Sequence, residues 1–207
     1  MSVVGLALAG GASRRMGRDK ALLPWADRDL LGHTLARLRE VVSEVRIVCG
    51  PKLRHAERGV PVDTDSGAGA LAGVLAGLGA ARGRACLVLA VDLPLVPSAL
   101  LVRLLERARD GDVVVPVSPR GEEPLCALYG PACLEPIRRR VESGDLKMST
   151  FWSEVRVQRL EGRELAELGD PERLFLNVNT PSDLERARAA GAGSRVLRSR
   201  DLWRRPS

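Results

Sequence analysis

A chain of 207 residues with 45% hydrophobic content is long enough to bury one sizeable core and too short to divide comfortably into two. Aromatic residues make up only 3%, so the core must be built from Val, Leu and Ala, which suits a sheet covered by helices and disfavours an aromatic-rich sandwich. The formal charge of +6 is uneven: from Gly191 onward Arg195, Arg198, Arg200, Arg204 and Arg205 outnumber Asp201 and leave the body nearly neutral, so no nucleic-acid partner is expected and 191–207 reads as a solvated, poorly ordered basic tail.

Cys49, Cys86, Cys126 and Cys133 form no CxxC pair, and free thiols of this kind fit a reducing compartment. The opening run MSVVGLALAGG is apolar before its first arginines, the reverse of a secretory signal, and no apolar stretch reaches the roughly 18 residues of a membrane span. A cytoplasmic protein with no membrane partner is expected.

In chain order, Val3 to Ala9 reads as a first strand, nearly all apolar as strands covered on both faces must be. Leu31, Leu35, Leu38 and Val42 share one face of a predicted helix over 31–42, and Val45 to Cys49 is the second strand. In the Gly/Ala-rich stretch 67–79, Gly69, Gly73 and Gly77 recur every four residues, a smooth helical face suited to close packing or to substrate contact. Ala85 to Val91 and Val113 to Val117 are further buried strands, separated by a helix over 97–109 with Pro97 in its first turn. Pro124 to Tyr129 is a candidate strand and 132–141 a helix. Leu174 to Val178 reads as a late strand feeding a helix over 180–189, with Thr180 as N-cap and Pro181 in the first turn.

The segment 143–169 has mixed charges and short apolar runs, and a peripheral subregion is expected there. His33 and His55 show no ligand partners in sequence and read as surface or capping residues. Strand-helix units repeated in this way predict a single α/β, Rossmann-like domain over 1–190, with a mostly parallel central sheet and helices on both faces.

The chemistry gathers after the first strand. Gly10 and Gly11 followed by Arg14, Arg15, Arg18 and Lys20 put adaptable backbone amides and cations at the carboxyl end of a sheet, where open α/β folds bind ligands. A polyphosphate is the natural guest. The loop is neither GxGxxG nor GxxxxGK[ST], so dinucleotide and Walker-type sites lose their specific support. Lys20 has a physical role of its own, because attack on an α-phosphate builds negative charge that a fixed cation stabilises. Asp92 follows the apolar run ACLVLAV at the same end of the sheet, suitably placed for a magnesium ion that needs one or two carboxylates besides phosphate oxygens. Asn177 and Asn179 flank one valine, so in an extended segment both side chains point the same way.

The string LAGGASRRMGRDKALL resembles the nucleotidyltransferase signature LAGGxSxRMGxDKxLL, most closely that of the molybdenum cofactor guanylyltransferases. The resemblance continues through VDTDS (62–66), GALAGV (69–74), VDLPLVP (91–97) and LNVNTPSDL (176–184), in the family's order, and covers about 3–188. It implies transfer of GMP from GTP to the terminal phosphate of molybdopterin or the molybdenum cofactor, with release of pyrophosphate and formation of molybdopterin guanine dinucleotide. It further implies nucleotide contacts at Leu8, Ala9, Gly10, Gly11 and Asp65, phosphate contacts at Arg15 and Lys20, and Mg2+ on Asp92, with Asn179 and Asn177 completing the metal or phosphate site. The N-terminal half would take the nucleotide and the later half, from about Pro124, the pterin. Transient contact with other cofactor-biosynthesis proteins or with acceptor molybdoenzymes belongs to the same picture.

Two positions depart from the family pattern and bear on guanine choice: Ala70 stands where the GPLAG motif has proline, and CGPK (49–52) replaces a polar residue that approaches the base. Gly10-Gly11 favours guanine over the LAAG of cytidylyltransferases acting on the same pterin. The rival readings are cytidylyl or other nucleotidyl transfer and, from a different class, a nucleotide-binding regulator that does not turn over.

Overall fold

The computed structural model describes residues 2–10 and 19–192. Its centre is an eight-stranded sheet in the order β10-β7-β9-β6-β1-β4-β5, with β8 paired to β7. The strands are β1 (Val3–Leu8), β4 (Glu44–Cys49), β5 (Val62–Thr64), β6 (Ala85–Ala90), β7 (Val113–Ser118), β8 (Gly121–Glu122), β9 (Cys126–Tyr129) and β10 (Val157–Leu160). A separate two-stranded ribbon pairs β2 (Pro24–Trp25) with β3 (Arg28–Asp29). β1 runs parallel to both β4 and β6, β4 to β5, and β7 to β10. Only β8 and β9 are antiparallel to their neighbours in the large sheet. The α/β architecture expected from alternating apolar runs and helical periods is the one observed.

All six residues of β6 and five of six in β1 are buried, because helices cover both faces. The helices are α1 (Leu30–Arg39), α2 (Ala70–Ala80), α3 (Ser98–Glu106), α4 (Leu134–Glu142), the single turns α5 (Arg163–Ala166) and α6 (Pro171–Leu174), and α7 (Pro181–Ala192). Asp29 caps α1, its carboxylate accepting from Gly32 N at 2.7 Å. The glycine face of α2 packs on β1: a Cβ on Gly77 would stand 2.1 Å from Leu6 Cδ1. No helix among the described residues is long and apolar enough to cross a membrane.

Three expectations change. Leu174 to Val178 is not a strand: Asp170 caps a helical turn at Pro171, accepting from Glu172 N at 3.0 Å, and the chain then crosses the sheet edge as an unpaired segment with Phe175 and Val178 buried. The segment 143–169 is not wholly peripheral, since it supplies β10. His33 and His55 are not surface residues. His33 Nε2 donates to the Pro94 carbonyl at 2.9 Å, and burial, with Arg37 nearby, pushes its pKa down from 6.5 to about 4. His55 is buried and starts a short 3-10 turn from a left-handed backbone conformation. The last helix runs to Ala192, slightly beyond the expected start of the tail; 193–207 lies outside the described residues.

All four cysteines are free and buried, and burial raises Cys86 and Cys133 each to about 12. These are packing residues rather than reactive thiols.

Candidate active site

β1, β4 and β6 end level: Leu8 pairs with Val48 on one side and Ala90 on the other. The bonds Ala9 N to Val48 O (2.8 Å) and Val91 N to Leu8 O (3.1 Å) carry the register past the strand ends. Gly10, Gly50 and Asp92 therefore emerge at one carboxyl edge, joined by Asp65, whose N–H donates to the Cys49 carbonyl at 3.1 Å. These ends floor a cleft of about 910 Å³ that includes Leu8, Gly10, Lys20, Asp65 and Asp92 in its lining. Ala9 lies buried just beneath it.

Small residues make room for the Asp65 carboxylate. A Cβ on Gly10 would stand 3.5 Å from Asp65 Oδ2, and one on Gly73 3.4 Å from the same oxygen. Asp65 Oδ1 accepts from Gly67 N at 2.6 Å, while burial raises its pKa against that bond and the nearby Arg54 charge. Of the α2 glycines, Gly77 serves packing, as expected, whereas Gly69 and Gly73 line the cleft.

Lys20 opens a one-turn 3-10 helix, Lys20–Leu22, capped by Asp19 Oδ1 accepting from Ala21 N at 3.1 Å. Its ammonium donates to Asp92 Oδ2 at 2.9 Å and to Asn179 Oδ1 at 2.8 Å. Asn179 reaches it because Val178 N donates to the Asp92 carbonyl at 2.9 Å, laying the unpaired late segment beside the end of β6. A reciprocal cap holds that segment: Asp183 Oδ2 accepts from Asn179 N and Thr180 N, and Thr180 Oγ1 accepts from Asp183 N. The two asparagines do not act alike. Asn179 faces Lys20, while Asn177 Oδ1 is buried without a hydrogen-bond partner.

Asp92 Oδ1 is also buried and has no partner among the described residues. Among the described residues no three His, Cys, Asp or Glu side chains converge as a ready-made metal cage. Gly11 and Arg15, with Arg14 and Arg18, lie outside the described residues. Sequence reasoning missed Asp19, Lys52 and Arg54, which also line the cleft. Arg54 Nη1 binds Asp19 Oδ2 at 2.8 Å and Nη2 reaches the Ala9 carbonyl at 3.4 Å. The local signal for Lys52 and Arg54 was a basic stretch directly after the second strand, and Asp19 stands in the first loop beside Lys20.

A mostly parallel sheet carrying this cleft across its carboxyl edge is the fold of nucleotidyltransferases. The molybdopterin-guanine dinucleotide biosynthesis protein A of Archaeoglobus fulgidus superposes with a TM-score of 0.76 at 24% identity, covering 92% of this chain and 100% of that one. The 2-C-methyl-D-erythritol 4-phosphate cytidylyltransferase of Thermus thermophilus gives 0.66 at 22% identity, covering 90% of this chain and 98% of that one. At these identities the likeness speaks to the fold. The family model of the MobA-like NTP transferase domain matches residues 5–158, and the chain belongs to that family. A relative in Pelotomaculum thermopropionicum named "Probable molybdenum cofactor guanylyltransferase" is 37% identical, covering 96% of this chain and 98% of its own. The molybdenum cofactor guanylyltransferase of Desulfosudis oleivorans is 32% identical, with 94% and 98% covered.

Proposed function

We propose that this nucleotidyltransferase moves GMP from GTP to the terminal phosphate of molybdopterin, free or carrying molybdenum, and releases pyrophosphate. The observation that carries the reading is the Lys20 ammonium, held between Asp92 and Asn179 at the mouth of the cleft. The relatives named above support the choice of base and acceptor.

The acceptor phosphate is already ionised, so in-line attack on the α-phosphate needs no general base. Positioning and electrostatics then supply most of the rate. Gly10 and Gly11 lend backbone to the nucleotide, and Gly69 and Gly73 leave space beside Asp65. Lys20 and Arg15 stabilise charge on the nonbridging and leaving oxygens. Mg2+ fits the buried, unpartnered Asp92 Oδ1, with Asn179 adjacent. Asp92, with Asn179 beside it, would hold the ion, which would supply positive charge against the phosphates. Residues 1–190 form the transferase domain, with the pterin on the side of β9 and the chain that follows, and the cytoplasm is the working compartment. Other cofactor-biosynthesis proteins or acceptor molybdoenzymes would meet it only transiently.

The test is pyrophosphate release with Mg2+ and molybdopterin, offering GTP, CTP, ATP and UTP separately. Turnover confined to GTP is expected. Preference for CTP would overturn the base assignment, and nucleotide binding without release under any pairing would favour a regulator.

A further inference from the structure

We propose that Arg54 is a positioning residue of the cleft: it neutralises the Asp19 carboxylate and, through Asp19, sets the place from which Lys20 works. The proposal rests on reading the cleft as a nucleoside triphosphate site. Asp19 is an anion in the wall of a pocket meant for a polyanion, an arrangement that repels the ligand unless the carboxylate is paired.

Its oxygens are divided between two tasks. Oδ1 accepts from Ala21 N at 3.1 Å and so caps the turn that begins at Lys20. Oδ2 accepts from Arg54 Nη1 at 2.8 Å and lies 3.3 Å from His55 Nε2. The second arm of the guanidinium reaches the Ala9 carbonyl at 3.4 Å. One side chain from the segment after β4 therefore ties the end of β1 to the residue preceding Lys20. Only a planar fork satisfies both directions at once; an ammonium supplies the charge without the span. Asp19, fixed in this way, fixes the start of the Lys20 side chain, whose tip is held 2.9 Å from Asp92.

The test compares wild type, Arg54→Met, Arg54→Lys, Asp19→Asn and the double variant Arg54→Met/Asp19→Asn. GTP binding is read by calorimetry, kcat and KM by pyrophosphate release, and folding by thermal melting. In Arg54→Met the Kd and KM for GTP should rise roughly tenfold, the effect of one carboxylate left uncompensated in the cleft wall. Arg54→Lys should recover most of that affinity but leave kcat lowered, because charge returns without the bridge. Asn still caps the turn but gives Arg54 a weaker, uncharged partner, so Asp19→Asn alone should leave GTP affinity equal to or tighter than wild type while kcat falls. In the double variant it should restore GTP affinity, making the pair bind better than Arg54→Met alone. Unchanged affinity in Arg54→Met, or losses that simply add in the double variant, would overturn the proposal. Wild type that binds no nucleoside triphosphate would overturn the site reading and this proposal together, an outcome set apart by its appearance before any substitution is made.

Discussion

Two sets of ion pairs stand on the same sheet and are built differently. Along β4 and β5, Arg46 grips Asp63 through Nε at 2.7 Å and Nη2 at 2.9 Å, and Arg84 grips Glu44 through Nη1 at 2.5 Å and Nη2 at 3.0 Å. Both forks are closed, each carboxylate engaged at both oxygens. At the cleft, Lys20 offers Asp92 a single point contact, and the second Asp92 oxygen is buried with no partner among the described residues. A closed pair is complete within the protein, whereas the open one has bonding capacity left for a ligand. Incomplete hydrogen bonding inside a shaped cleft is thus a better pointer to chemistry than the presence of an ion pair.

The comparison breaks most sharply at the open pair. Lys20→Ala or Asp92→Ala should lower kcat/KM for GTP by roughly 10²–10³-fold, in the range of losing a transition-state contact. Melting temperatures should fall far less than turnover does, since each substitution removes contacts at the sheet's edge and leaves the core intact. An equal loss of folding stability and activity would put these residues on the structural side of the divide.

Behind the Asp92 loop, His33 is a closed contact of another kind, neutral and bound to Pro94. The unfolded chain takes up a proton near pH 6.5 that the folded chain refuses until about pH 4, so stability is full above that window and falls as pH drops through it. The unfolding free energy, followed by urea titration at several pH values, should decline by up to about 3 kcal/mol across the window. His33→Gln should remove most of this slope, and a slope that survives the substitution would assign the titration to other groups. The smallest effect belongs to the closed forks: Asp63→Ala should cost roughly 0.5–1 kcal/mol in urea unfolding, because partial exposure screens the pair, and leave turnover unchanged. Impaired GTP turnover in this variant would erase the distinction between the two sets.

Legibility followed the same physics. The buried runs of β1, β4, β6 and β7 were visible because strands covered on both faces are continuously apolar. β10 was missed because an edge strand with Gln158 and Arg159 turned toward solvent carries a diluted signal. The supposed strand at Leu174 to Val178 has apolar content for burial but pairs with neither edge strand, β10 or β5. Its composition reported that it is covered, not that it is paired. His33 was misread for the converse reason, since a lone imidazole gives no local hint of a carbonyl 61 residues away, whereas His55 does stand at the N-cap of a short turn but is buried there.

By itself the sequence determined the α/β layering and the candidacy of Lys20 and Asp92, because strand burial, loop composition and position after a strand are local properties that periodicity exposes; Asp65 was named only by the family resemblance. Only the tertiary structure decided that Asn179 meets Lys20 across 159 residues, that Asn177 has no such contact among the described residues, and that Arg54 ties Asp19 to the end of β1. Such contacts arise where distant segments are brought to one sheet edge, and no sequence period encodes which of them will touch.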